Sequence, residues 1–268
     1  MGRIEGKVAV VTGGGDGIGR AIVRRFAAEG ANVLVAEINE ANGQAASDEL
    51  IAGGGDALFV RTDVRSKPDN LAMIAAAVER WGTVDILVNN AWGGGRIGRV
   101  ENKSDELIAH GMNMAFYGPM WAMQAAFPHM KAQGWGRVIN LCSLNGVNAH
   151  MGTLEYNAAK EALRALTRTA AREWAPTGVT ANVICPGAKT AAFRAWAAAN
   201  PEMAAGAEAL NPMGRLGDPD DDIAPVALFL ASDDSRFVTG QTMFVDGGSH
   251  INGTVWIPDF SAEDAAGS

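Results

Sequence analysis

Short runs of β-branched and other apolar residues alternate along this chain with longer segments whose apolar positions recur at helical spacing. Lys7–Val11, Asn32–Ala36, Ala57–Arg61, Val84–Val88, Arg137–Leu141, Thr180–Ile184 and Thr242–Val245 read as strands. The first six are nearly all apolar, as strands covered on both faces are. Gly17–Glu29, Asn39–Ala52, Lys67–Trp81, Asp105–Lys131, Glu155–Ala175 and Asp220–Ala231 read as helices, with Ser66 and Ser104 as N-caps. Repeated β–α units predict an α/β fold, a doubly wound parallel sheet of about seven strands with helices on both faces. No break in composition marks a domain boundary, so a single domain is expected over 1–257. An Ala-rich, mobile helical lid is expected at about 190–214 and a flexible tail at 258–268.

Composition narrows the function classes. The formal charge of −8 counts against a nucleic-acid partner, which needs a basic patch. Cys142 and Cys185 each end an apolar run, where cysteine behaves as a small hydrophobe, so no disulfide is expected. No secretory leader is expected from Met1–Lys7, and no apolar run approaches the roughly 20 residues of a membrane helix. A cytoplasmic protein with no membrane partner is the resulting expectation. His110, His129, His150 and His250 lack metal-ligand spacing, and Asp220–Asp222 reads as the acidic first turn of a helix, so no metal is expected.

Candidate chemistry begins at Thr12–Gly19. Gly13, Gly17 and Gly19 lie between a predicted strand and a predicted helix, where glycines let backbone N–H groups approach a pyrophosphate at the helix N-terminus. Gly15, Asp16 and Ile18 complete this loop. Glu37 ends the second strand, eighteen residues past Gly19. A carboxylate there can accept hydrogen bonds from ribose hydroxyls and would repel a 2′-phosphate, so NAD is expected over NADP; Asp16 adds to the repulsion. A solvated strand-end charge is the plainer reading of Glu37.

Tyr156 and Lys160 stand four apart on a predicted helix and so share a face. An ammonium near a phenol favours the phenolate, lowering a pKa that is ordinarily about 10. A group so tuned can exchange the proton of an alcohol–ketone reaction. Ser143 precedes the tyrosine by thirteen residues. Each residue also has a structural reading: Ser143 as a turn cap, Asn113 as a kink residue near Pro119, Tyr156 as a half-buried aromatic.

Taken together, Thr12–Gly19, Asp63-Val64, Asn89-Asn90-Ala91, Asn113, Ser143, Tyr156, Lys160, Pro186-Gly187 and Asp246-Gly247-Gly248 resemble the short-chain dehydrogenase/reductase family, over about Lys7 to Gly248. The resemblance implies a single Rossmann-type domain and hydride transfer between nicotinamide and a secondary alcohol or ketone. It implies Tyr156 as general acid/base and Lys160 as the group that lowers its pKa and holds the nicotinamide ribose. Ser143 would hold the substrate oxygen, and Asn113 a relay water. It further implies Asp63 on the adenine with Val64 beside it, and Asn90 and Ala91 along the adenosine ribose. Ile38, Trp92, Pro186, Gly187 and Thr190 complete the expected cofactor contacts. A homotetramer or homodimer is implied as well.

Two departures bear on substrate. Trp92 replaces the glycine usual after Asn-Asn-Ala, so its indole either lines the pocket or packs structurally. Pro186–Thr190 is one residue short of the usual pattern, which leaves Thr190 in question as a carboxamide ligand. It also places Lys189 where an apolar residue is usual, either toward an anionic substrate group or toward solvent. Asn145, His150 and Met151 follow Ser143 on a loop, and Phe193, Trp196, Met203 and Met213 lie in the lid. These side chains suit an apolar or ring-bearing substrate, or simple lid packing. Competing readings are a 3-oxoacyl thioester reductase or 3-hydroxyacyl dehydrogenase, and a non-catalytic NAD(H)-binding sensor.

Overall fold

The computed structural model describes residues 2–251, apart from the side chains of Ala191, Ala192, Ala195, Trp196, Met203 and Ala207. The expectations for the 258–268 tail and for the Trp196 and Met203 side chains therefore lie outside the described residues.

Seven strands form one parallel sheet in the order β3-β2-β1-β4-β5-β6-β7. They are β1 (Val8–Thr12), β2 (Asn32–Glu37), β3 (Ala57–Arg61), β4 (Ile86–Asn89), β5 (Gly136–Leu141), β6 (Val179–Pro186) and β7 (Thr242–Val245). All seven expected strands are present, two of them with the expected ends and the others with ends moved by at most two residues. Alternate residues feed opposite cores, as the two-residue strand period requires. Ala9 and Val11 of β1 join the apolar cluster containing Ile22, Phe26 and Leu228, while Val8 and Val10 join the one containing Met73, Met123 and Met130.

The helices are α1 (Gly17–Ala28), α2 (Glu40–Ala52), α3 (Lys67–Trp81), α4 (Asp105–Met112), α5 (Gly118–Gln133), α6 (Leu144–Val147), α7 (Leu154–Trp174), α8 (Ala191–Ala199), α9 (Pro201–Ala209) and α10 (Ala224–Ala231). Ser66 caps α3 and Ser104 caps α4, as expected. The single helix expected over Asp105–Lys131 is instead two, joined by a π-turn at Asn113–Tyr117. Pro119 has no N–H to offer the Ala115 carbonyl, so the helical ladder re-registers just before it. A second π-turn, Pro219–Ile223, precedes Pro225 at the same offset and shortens the last expected helix. The lid segment forms α8 and α9, divided at Asn200-Pro201.

A buried polar chain docks α7 on the sheet. Asn89 Nδ2 donates to Asn140 Oδ1 at 2.8 Å, Asn140 Nδ2 donates to Thr167 Oγ1 at 2.8 Å, and Thr167 Oγ1 donates to the Leu163 carbonyl at 2.7 Å. Such a chain is stable only when each member is satisfied, so it specifies one rotation of α7 against β4 and β5. Lys160 and Tyr156 are thereby directed to the carboxyl ends of those strands. The order of the sheet reverses between β1 and β4, and the crevice above that point is where ligands enter open α/β sheets.

Candidate active site

The loop between β1 and α1 is built to exclude side chains. Gly13 has φ +65°, and a Cβ there would lie 2.9 Å from Asn90 Nδ2. A Cβ on Gly19 would come 2.0 Å from the Gly13 carbonyl oxygen. Gly17 has φ +54° with open space beyond it. Asp16 caps α1 by accepting the Gly17 N–H at 2.7 Å; the next N–H groups of the first turn have no intrahelical acceptor. This tight turn and helix N-terminus fit a dinucleotide pyrophosphate. Asn90 fastens the loop from β4 by donating to the Thr12 and Gly13 carbonyls, and Thr12 Oγ1 accepts the N–H groups of Asn90 and Ala91.

One carboxylate oxygen of Glu37 faces this loop and the other faces the residues just after β2. Oε2 accepts the Gly15 N–H at 3.2 Å, and Oε1 accepts Ile38 N–H and Asn39 N–H at 2.9 and 3.0 Å. The nearby arginines pair with carboxylates, Arg20 and Arg24 with Glu49, Arg61 with Glu40 and Arg65 with Asp63, and Arg20 also donates to the Gly15 carbonyl at 3.4 Å. The hydrogen bonds from Arg65 hold the Asp63 carboxyl below its ordinary range. Val64 is buried, and its carbonyl lies so close to Gly118 that a Cβ there would approach to 2.4 Å.

At the carboxyl ends of β5 and β6 the structure brings Ser143, Tyr156 and Lys160 together. Ser143 is buried and caps α6, its Oγ accepting the Asn145 N–H at 3.1 Å. Burial pushes the Tyr156 phenol above its ordinary range, and a hydrogen bond with Ser143 pulls the other way. Lys160 differs from its expected state. Its Nζ donates to the Leu141 carbonyl at 2.6 Å and lies 5.7 Å from the centre of the Tyr156 ring. Burial pushes its ammonium down. Lysine and tyrosine share a face of α7, yet the lysine reaches toward β5 rather than along the helix. Burial therefore decides the phenol's pKa in this state, and the expected lowering by Lys160 does not appear.

Lys160 also borders a cavity of about 10 Å³, enough for one water, with Thr12, Asn89, Ala91 and Met114. Asn113 does not border it. It lines a separate open cleft of about 500 Å³ with Asp63, Arg65, Glu106 and His110. Met114 and Ala115 of the π-turn line the small cavity, and Asn113 of the same turn lines the cleft.

Comparison with known proteins agrees with this geometry. The family model described as enoyl-(acyl carrier protein) reductase matches residues 13–250. A 2,5-dichloro-2,5-cyclohexadiene-1,4-diol dehydrogenase of Sphingobium indicum is 39% identical over 250 residues, 92% of this chain and 97% of the relative. A 2,3-dihydroxy-2,3-dihydro-p-cumate dehydrogenase of Pseudomonas putida is 37% identical, covering 92% of this chain and 95% of the relative. The crystal structure of levodione reductase superposes with a TM-score of 0.88 at 28% identity, covering 93% of this chain and 99% of that one. The chain belongs to the short-chain dehydrogenase/reductase family. It is a nicotinamide-dependent oxidoreductase acting on CH–OH groups and has a small-molecule substrate.

Both departures from the dehydrogenase pattern are visible in three dimensions. The Trp92 indole meets the Tyr156 ring edge-on, centroids 4.6 Å apart at 67°, and Lys160 Nζ lies 5.6 Å from the indole centre. After β6, Gly187 accepts from Gly217 at 2.8 Å, and a Cβ at Gly187 would lie 2.9 Å from the Asp246 Cα. Thr190 caps α8 by accepting the Phe193 N–H at 3.2 Å. Lys189 is partly open to solvent and pairs with Glu208 of α9 at 2.8 Å, tying the lid's base to its second helix. Asn145 is half-buried in α6 rather than on a loop, and His150 is exposed in the turn that follows. Among the described residues, no helix is long and apolar enough to cross a membrane.

Lys103, His110 and Glu155 were missed as members of the site's surroundings. Glu155 lies on α7 beside Tyr156, four residues before Ala159 on the stripe that continues through Leu163 and Thr167. A carboxylate at a core position of an amphipathic stripe was the available signal, since a buried charge needs a partner. Burial alone would raise its pKa, but hydrogen bonds from Lys103 and the Arg96 N–H outweigh that and hold it below the usual range. His110 Nε2 lies 2.8 Å from the Gly93 carbonyl, a contact between distant segments that no spacing rule reveals.

Proposed function

We propose that this enzyme is an NAD-dependent dehydrogenase of a secondary alcohol carried on an apolar ring, a cyclic diol being the substrate class that the relatives' names support best. The observation that carries this reading is the edge-on contact of Trp92 with Tyr156. It puts a broad apolar surface beside the proton-transfer group, where a flat ring can lie against it. The glycine loop and α1 hold the pyrophosphate, and Glu37 takes the adenosine ribose hydroxyls and opposes a 2′-phosphate. Asp63 and Val64 lie on the adenine side, with Ile38, Asn90, Ala91, Pro186, Gly187 and Thr190 along the rest of the cofactor.

A bound nicotinamide supplies the hydride acceptor. The protein handles the oxygen and its proton. Ser143 holds the substrate hydroxyl beside Tyr156, and the phenolate of Tyr156 takes the proton as the carbonyl forms. Lys160 holds the nicotinamide ribose. Together with Asn113, through the one-water cavity and the open cleft, it returns the proton to solvent. Asn145, His150 and Phe193 line the substrate side. The protein acts in the cytoplasm as a homotetramer or homodimer; the Phe116, Tyr117 and Trp121 rings on α5 and its π-turn, Tyr117 being 40% exposed, support assembly through this face.

A panel of cyclic secondary alcohols and diols, assayed for NADH formation, tests the reading. One class should turn over, and Tyr156→Phe should abolish that turnover while leaving NADH binding intact. Turnover preserved in the Phe variant would refute the assignment of Tyr156. NADH binding without turnover of any alcohol or ketone would favour a sensor.

A further inference from the structure

The segment from Asn90 to Arg99, which carries Trp92, forms no helix or strand. A closed ring of polar contacts nevertheless fastens its middle. Glu155 Oε1 accepts the Arg96 N–H at 2.9 Å, Glu155 Oε2 accepts from Lys103 Nζ at 2.6 Å, and Lys103 Nζ also donates to the Arg96 carbonyl. Both charged side chains are inside the protein, Lys103 3% and Glu155 1% exposed. Gly95 is the spacer: a Cβ there would lie 3.4 Å from Glu155 Oε1 and 3.7 Å from Trp92 Cζ2. Two weaker ties flank the ring, His110 to the Gly93 carbonyl and Gly98 N–H to the Gly152 carbonyl at 3.0 Å.

We propose that Lys103 and Glu155 form a clasp that holds the loop after β4 so that Trp92 stands edge-on to Tyr156, making both of them positioning residues for the substrate. Stability does not account for the pair, because a buried ion pair is often no more stabilising than apolar side chains of similar volume. What apolar side chains cannot do is hold both the N–H and the carbonyl of Arg96. Glu155 adjoins Tyr156 in sequence, so the clasp measures the position of Trp92 directly from the residue that Trp92 covers. Small displacements of a group against the reacting atoms are costly in rate. The proposal rests on the dehydrogenase reading for its kinetic consequence, but not for its structural one.

The test uses the full-length protein with Lys103→Met/Glu155→Leu, which removes both charges together, beside Glu155→Gln. Amide hydrogen exchange across 92–98 and the fluorine NMR signal of 5-fluorotryptophan at position 92, assigned with Trp92→Phe, report on the loop without any turnover. In the double variant, exchange across 92–98 should quicken about tenfold or more while β4 stays protected, and the Trp92 signal should shift or broaden. The KM for the cyclic alcohol should rise about tenfold, with the KM for NAD within about threefold. Glu155→Gln keeps the acceptor for Arg96 N–H and should fall between. Unchanged exchange and an unchanged Trp92 signal would overturn the clasp. A freed loop with an unchanged alcohol KM would overturn its role in positioning substrate. A parent enzyme that turns over no alcohol would refute the dehydrogenase reading alone, leaving the exchange and fluorine results to decide the clasp.

Discussion

Lys160 Nζ donates to the main-chain carbonyl of Leu141 at 2.6 Å, so the ammonium beside Tyr156 is anchored to the end of β5 rather than to the phenol. The phenol is raised by burial and the ammonium is lowered by it. Alcohol oxidation needs the ionised phenol, so kcat/KM should climb with pH along an alkaline-directed limb. Lys160→Met should leave the position of that limb within about half a unit while lowering the rate along it, because burial and the Ser143 hydrogen bond, not the ammonium, set the phenol. Rate profiles between pH 6 and about 10.5 with saturating NAD would show it.

The same lysine gives a stability prediction with a definite sign. Its pKa is lower in the folded chain than in the unfolded chain, so between the two values the unfolded chain binds more protons. Folding stability should therefore gain a positive slope as pH rises through that interval toward about 10, and Lys160→Met should remove it. Urea denaturation at a series of pH values checks this; an unchanged slope in the variant would rule the lysine out as its source.

Glu37 braces the glycine loop through Gly15, and on the proposed reading it favours NAD over NADP. Glu37→Ala should lower the ratio of kcat/KM for NAD to that for NADP by about tenfold or more, with part of the change a poorer KM for NAD. Parallel titrations with the two cofactors separate these effects.

Asn140 sits between Asn89 and Thr167 with both side-chain polar groups engaged. Asn140→Ala leaves buried Asn89 Nδ2 without its acceptor and Thr167 Oγ1 with only its bond to Leu163, and should destabilise the protein by about 1–3 kcal/mol. Because the chain of bonds sets the rotation of α7, activity should fall further than stability alone explains. Thr167→Val should show the same pattern more weakly. Denaturation and kinetics on the same preparations distinguish the two effects.

Much of the architecture was legible in the chain itself. Seven apolar runs separated by helix-period segments could bury both strand faces only in a parallel, doubly wound sheet, and each run became a strand. The glycine loop was readable because so tight a turn between strand and helix needs residues without Cβ, as at Gly19, where a Cβ would meet the Gly13 carbonyl. The π-turn at Asn113–Tyr117 was not readable as such: Pro119 announces a disturbance, but its form depends on how closely Gly118 packs on Val64. Ser143 takes the capping role, on α6, and its hydrogen bond with Tyr156 is a contact that spacing alone did not reveal.

The sequence by itself determined the sheet, the tight glycine loop after β1 and the one-face spacing of Tyr156 with Lys160, because each follows from local periodicity or local sterics. Only the tertiary structure decided where Lys160 points, that Lys189 joins Glu208, and that Trp92 covers Tyr156 while Lys103 and Glu155 meet across 52 residues. Those outcomes depend on which distant groups share the low-dielectric interior. There a charge takes whatever partner the packing brings within reach, and no spacing along the chain encodes that partner.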